Sequence, residues 1–176
     1  LRPTPKLNTN HRKVMDLFHD WKVLMLTMRD ADSGIVSPMV TRRGAMIRES
    51  TGPILTFLRY NMWEEARGIL EYFHNAILLT GEIREYFPMD LDFAGITNAN
   101  DYSAIKVPDS DLASWVVLQH FWYFRATLDA KYIKTRQPFL LHLLQKQKRG
   151  KGTLMRFSGH ENFMRSVFDL DINAMS

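Results

Sequence analysis

Residues 51–81 carry two apolar stripes at helical spacing, hinged at a single turn signal, and few chains with that pattern can avoid a helical hairpin. Ser50, Thr51 and Pro53 form a helix start, and Ile54, Leu55, Phe57 and Leu58 follow it. Asn61 then stands where a chain can turn through the left-handed region. Beyond it Trp63, Ala66, Ile69, Leu70, Phe73 and Ile77 make the second stripe. Glu64 and Glu65 favour the positive amino end of that second helix, and Gly81 closes it.

The same period recurs elsewhere. Val14, Leu17, Phe18, Trp21, Leu24, Met25 and Met28 predict an amphipathic helix over 14–28, which Asn8, Thr9 or Asn10 can cap. Pro38 opens a second short segment with Met39, Val40, Met46 and Ile47, expected to fold back as a helix on the first. Residues 82–87 are expected to add one more helical turn. Residues 88–108 have no sustained period and many turn formers, which predicts an irregular crossing. Residues 112–130 are apolar nearly all round, including Trp115, Val116, Val117, Leu118, Phe121, Trp122 and Phe124, as expected of a central, buried helix. Thr135 and Pro138 open a further helix that Gly150 and Gly152 stop, and Phe163, Met164, Val167 and Phe168 mark a last short amphipathic piece.

Nothing alternates convincingly with period two, so the fold class expected is all-α, built of antiparallel helical hairpins. A length of 176 residues with 45% apolar side chains supports one helical-repeat-like domain over 1–176, with a flexible basic start at 1–9. The first acidic residue is Asp16, preceded by Arg2, Lys6, Arg12 and Lys13. An acid-poor start of this kind is what remains near a cleaved organelle-targeting segment, and equally what an ordinary solvated arm looks like. No apolar run approaches the ~18 residues of a spanning helix.

Chemistry-bearing patterns are sparse. The absence of cysteine removes thiol nucleophiles and every cysteine-containing metal site. His11 and His19 are two helical turns apart, ~12 Å of rise, too far to share one ion. His74, His120, His142 and His160 are scattered and read as core or surface imidazoles. Asp90/Asp92, Asp109/Asp111 and Asp169/Asp171 each lie at a turn or helix start, where Asp caps backbone amides. Gly150-Lys151-Gly152-Thr153 lacks both the preceding strand and the spacing of a phosphate loop, and no serine sits in a nucleophile elbow. No catalytic residue, cofactor site or metal site is predicted, and an enzyme is the least supported class.

From residue 131 to 155 there is no acidic residue, and Lys131, Lys134, Arg136, Lys146, Lys148, Arg149 and Lys151 interleave with Tyr132 and Phe139. Lys146, Lys148, Arg149 and Lys151 are the candidate contacts for RNA or an acidic partner. The plainer reading is a solvated helix end whose cations oppose the carboxyl-end dipole. A net charge of only +4 does not demand nucleic acid.

Residues 51–81 resemble a pentatricopeptide-type hairpin: Ile54, Phe57 and Leu58 on the first helix, Asn61 in place of the usual turn glycine, then Trp63-Glu64-Glu65-Ala66 and Ile69-Leu70 through Phe73. Related tetratricopeptide hairpins give a similar string. The resemblance implies a short degenerate α-solenoid, since such units must stack to bury their cores. The position that reads a base in RNA-binding members falls near Gly52, which has no side chain to read with. An array that keeps the scaffold and loses the code resembles the pentatricopeptide-fold subunits on the F1 head of mitochondrial ATP synthase. That implies a non-catalytic structural subunit in the mitochondrial matrix, peripheral to the inner membrane through its complex. Its partners would be protein subunits, with the F1 α subunits as the docking site, and no specific nucleic acid is expected. An organellar RNA-binding helical-repeat protein is the alternative. Arg42, Arg43, Tyr60 and Trp63, at or beside hairpin turns, are the candidate partner anchors.

Overall fold

The computed structural model describes residues 7–37, 44–96, 101–108 and 110–147, together with the backbone of 156–157 and 167–168. Five α-helices dominate it: α1 Arg12–Thr27, α2 Thr51–Arg59, α3 Trp63–Thr80, α4 Leu112–Thr127 and α5 Ala130–Lys146. The described residues are mostly helical, as the periodicity requires.

Helices α2 and α3 form the expected hairpin. The Tyr60-Asn61-Met62 connection turns at Asn61, whose φ is 57°, and Gly81 ends α3 at φ 68°. Asparagine and glycine tolerate that left-handed region better than other residues. Ala66 is fully buried at the start of α3, where a small side chain lets α2 approach. Phe57, Ile54, Ile69, Leu70, Phe73 and Ile77 build the centre of the core. Helix α4 lies against α2, α3 and α5. Asp129 starts α5 by accepting a hydrogen bond from the Tyr132 amide at 3.0 Å.

Several expectations are corrected. Ala45–Met46 is not helical; it is a two-residue strand, β1, paired antiparallel with β2, Tyr86–Phe87, where a helical turn was expected. The pairing is possible because Gly44 has no Cβ: the Tyr86 ring occupies the space one would need. Residues 39 and 40 of that expected helix lie outside the described residues. Pro138 does not open a helix; it sits inside α5, removing one backbone donor from the interior of that helix. The last piece is extended at Val167–Phe168, strand β4, paired antiparallel with β3, Arg156–Phe157. The crossing between Pro88 and Pro108 contains one 3-10 turn, Phe93–Gly95, and Ile83 and Lys106 tie its return to the end of α3 through backbone bonds of 3.0 and 2.8 Å. Helix α4 is central but not enclosed. Its Phe121 is 47% exposed, and Trp122 is only partly buried.

Polar residues bind the pieces together. Arg48 lays its guanidinium across the Asp111 carboxylate, with Nε 2.9 Å and 3.0 Å from its two oxygens and a terminal nitrogen at 2.6 Å. Trp115 donates its indole N–H to the same carboxylate at 2.8 Å. Asp111 occupies the cap position of α4 without capping it, so the expected role of this carboxylate is replaced by an ion pair. Gln119, 1% exposed, donates to the Ile47 carbonyl at 2.6 Å and to the Thr51 hydroxyl at 2.9 Å, which fixes α4 to the start of α2.

Candidate functional site

Of the five α-helices described, α1 is the one the fold covers least. Among its residues only Met25 is buried, with Phe18 and Lys22 partly so on the same side. Tyr60, at the end of α2, holds it. The Tyr60 hydroxyl donates to the Phe18 carbonyl at 2.6 Å, and the two rings lie 4.6 Å apart. Burial pushes the Tyr60 phenol up from its ordinary value. Tyr60 is therefore 6% exposed, with its hydroxyl engaged inside the chain.

Beside this anchor, Val14, Leu17, Trp21 and Leu24 follow one another by three and four residues and so form one seam along α1. They are 46%, 65%, 46% and 44% exposed. Together with Leu7, Phe18 and Tyr60, the first three line a shallow groove of about 410 Å³ that is almost wholly apolar. A seam of four large apolar side chains left in water on a helix that the body grips along one side has the character of an interaction surface.

Two further places were candidates. A cleft of about 640 Å³ lies between the end of α1 and β2, with Arg29, Asp30, Asp32, Tyr86 and Asp90 on its walls. The Asp30 carboxylate accepts from the Asp32 amide, the Ser33 amide at 2.7 Å and the Ser33 hydroxyl at 2.8 Å, so it shapes a turn. Behind the cleft, Tyr72 donates its hydroxyl to the Pro88 carbonyl, and burial followed by the Asp90 carboxylate pushes its phenol up. No group of three metal-ligating side chains occurs among the described residues.

The second is a polar seam where α3, α4 and α5 meet. Arg136 pairs with Glu71, and Arg136 and Arg67 stand 5.6 Å and 4.9 Å from the centre of the Tyr132 ring. His120 stacks on that ring at 6.0 Å and donates its Nδ1–H to the Val116 carbonyl at 2.8 Å. His74 packs edge-on against Phe139 at 4.9 Å. Desolvation lowers both imidazoles to about 4, and burial pushes the Tyr132 phenol up. Both rings are thus neutral near pH 7, and neither cleft described above is lined by them. They belong to the packing of the helix bundle.

Of the other sequence candidates, Trp63 is half-buried and packs on the core at the start of α3. Arg42 and Arg43 lie outside the described residues. Lys146 is exposed at the end of α5, while Lys148, Arg149 and Lys151 lie outside the described residues. The structure does not bring Trp63 into the α1 seam. The seam itself was readable as one side of an amphipathic helix, but periodicity cannot say whether such a side meets the body or the solvent.

No known family model, curated protein or solved structure matches this chain significantly. The pentatricopeptide-type reading of residues 51–81 rests on their residues and on the hairpin they form.

Proposed function

We propose that this chain is a non-catalytic structural subunit of a larger mitochondrial assembly, docked through the uncovered seam of α1. The observation that carries the reading is the exposure of Val14, Leu17, Trp21 and Leu24 together on a helix pinned by Tyr60. Fully burying one such side chain is worth about 1.5–3 kcal/mol. The half that remains exposed on four of them offers roughly 3–6 kcal/mol to a partner. The α2–α3 hairpin supports a pentatricopeptide-type scaffold, with α4 and α5 as the next helical pair of a short degenerate solenoid. The resemblance of that hairpin supports a place in the matrix on the outside of the F1 head of ATP synthase, against the α subunits.

The test is to isolate the tagged chain from its source under mild conditions and identify what migrates with it. F1 subunits are expected. Leu17→Asp should release the chain from them without changing its thermal midpoint, since Leu17 is 65% exposed. Recovery as a free monomer, or only with RNA, refutes the reading.

A further inference from the structure

Helix α5 is held to the rest of the bundle by few anchors. Of its side chains only Tyr132, Phe139 and Leu143 are buried, fewer than in α3 or α4. Asp129 fixes its start, and Gln147 fixes its end by donating from Nε2 to the Ser114 hydroxyl at 2.8 Å. Between them Pro138 removes a backbone donor. Two of the three anchors rest on a histidine. Tyr132 stacks on His120 of α4 at 6.0 Å with the rings 4° from parallel, and Phe139 meets His74 of α3 edge-on at 4.9 Å. His120 and His74 are 1% and 2% exposed.

Neither ring can place a second proton. His120 donates its Nδ1–H to the Val116 carbonyl, and the Nδ1 of His74 faces the Asn75 side-chain oxygen at 3.2 Å. The Nε2 of each is buried without a hydrogen-bond partner among the described residues. On a neutral ring that atom is a bare lone pair, whereas a proton would make it a desolvated N–H with no acceptor. The charges that face the rings do not offset this. Arg136 of α5 opposes a proton on both, and the Glu71 carboxylate of α3, which favours one, is held by Arg136. Arg67 of α3 already lies 4.9 Å from the centre of the Tyr132 ring. The remaining ring neighbours, Tyr123 of α4 and Tyr102 of the crossing, are phenols that burial keeps neutral.

A seated α5 therefore excludes the protonated rings, and its departure lifts Tyr132 and Phe139 off them. The imidazoles sit at about 4 in the closed chain against 6.5 in water, so between pH 7 and pH 5 each favours the open form by about 20-fold. Helices α2 and α3 pack on each other across the turn at Asn61, with no part of α5 between them.

We propose that α5 is a proton-sensitive latch: it closes over His74 and His120 while both rings are neutral, and protonation of either releases it while the α2–α3 hairpin stays folded.

The chain has no cysteine, so a single introduced thiol reports opening without background. Full-length protein carrying Leu143→Cys on α5 or Ile69→Cys on α3, both fully buried positions, would be labelled with a methanethiosulfonate reagent at pH 7 and pH 5. Carboxylates stay largely ionised across that range. Leu17→Cys, at a 65% exposed position, gives the reference that cancels the reagent's own pH dependence. Relative to it, labelling of Leu143→Cys should rise at least ten-fold at pH 5, and there exceed that of Ile69→Cys at least ten-fold. A smaller rise overturns the proposal. Equal labelling at the two buried positions overturns it too, because the opening is then global. His120→Phe or His74→Phe should each reduce the rise, and a full rise in both variants refutes the role of the rings. In the unsubstituted chain, amide hydrogen exchange at pH 5, corrected for intrinsic rates, should be at least ten-fold faster in residues 133–146 than in 66–80. Equal protection of the two segments overturns the latch whatever the thiols show.

Discussion

Replacing Asp111 by Leu tests the main ionic tie of the fold. Arg48 and Asp111 have side chains only 11% and 8% exposed, and their contact is bidentate with a third short bond. Asp111→Leu leaves the Arg48 guanidinium buried beside Glu85, whose side chain is 32% exposed and 3.1 Å away. It also takes the acceptor from the Trp115 indole. Breaking a buried pair by removing one partner costs about 3–5 kcal/mol, because a desolvated charge loses most of its compensation, and the part-exposed Glu85 that stays beside Arg48 replaces it only in part. In a chain of this length that is a fall in thermal midpoint of roughly 6–20 °C. Urea unfolding at pH 7, with midpoint and slope fitted separately, should show the loss in the midpoint at constant slope. The double variant Arg48→Met with Asp111→Leu removes both charges and should recover to within about 2 kcal/mol of the parent. A loss below about 1 kcal/mol for the single variant, or a double variant as poor as the sum of the two singles, refutes the reasoning.

The two buried imidazoles set an acid limit. His74 and His120 fall from their ordinary value of 6.5 to about 4 in the folded chain, chiefly through desolvation. The unfolded chain binds more protons between those values, so stability is complete above about pH 6.5 and drains away as pH falls toward 4. Urea midpoints at pH 7 and pH 5 should differ clearly, and His120→Phe should remove about half the difference; a flat profile in the parent contradicts the assignment. Gln119→Ala leaves the buried Ile47 carbonyl without its 2.6 Å donor and should lose about 2–4 kcal/mol in the same assay, whereas a loss within error means water replaces the amide. RNA binding, if assayed with unrelated single strands, should be weak and without sequence preference. Four cations at Lys146, Lys148, Arg149 and Lys151 give a slope of log K against log salt near −3 at most, and tight binding to one sequence at physiological salt would favour the RNA-binding alternative.

The amino-acid sequence determined what lies within a few residues of itself. The stripes of α2 and α3, the left-handed turn at Asn61 and the stop at Gly81 follow from side-chain spacing and from which residues tolerate positive φ. The amphipathic character of α1 was equally local. At Pro138 the context overrides the local rule: packing of Tyr132, Phe139 and Leu143 carries α5 through a residue that would stop an isolated helix.

What tertiary structure decided is everything that depends on distant partners. Met46 is a strand residue only because Tyr86 runs beside it. Asp111 reads locally as a cap, but Arg48, 63 positions away, captures its carboxylate. The apolar surface of α4 forecast burial on all sides, and the number of neighbouring helices leaves one side open. The candidate surface on α1 has the same origin. Its period fixes which residues share a side, but exposure is a property of what the rest of the chain brings near, and the body reaches only as far as Phe18, Met25 and the hydroxyl of Tyr60.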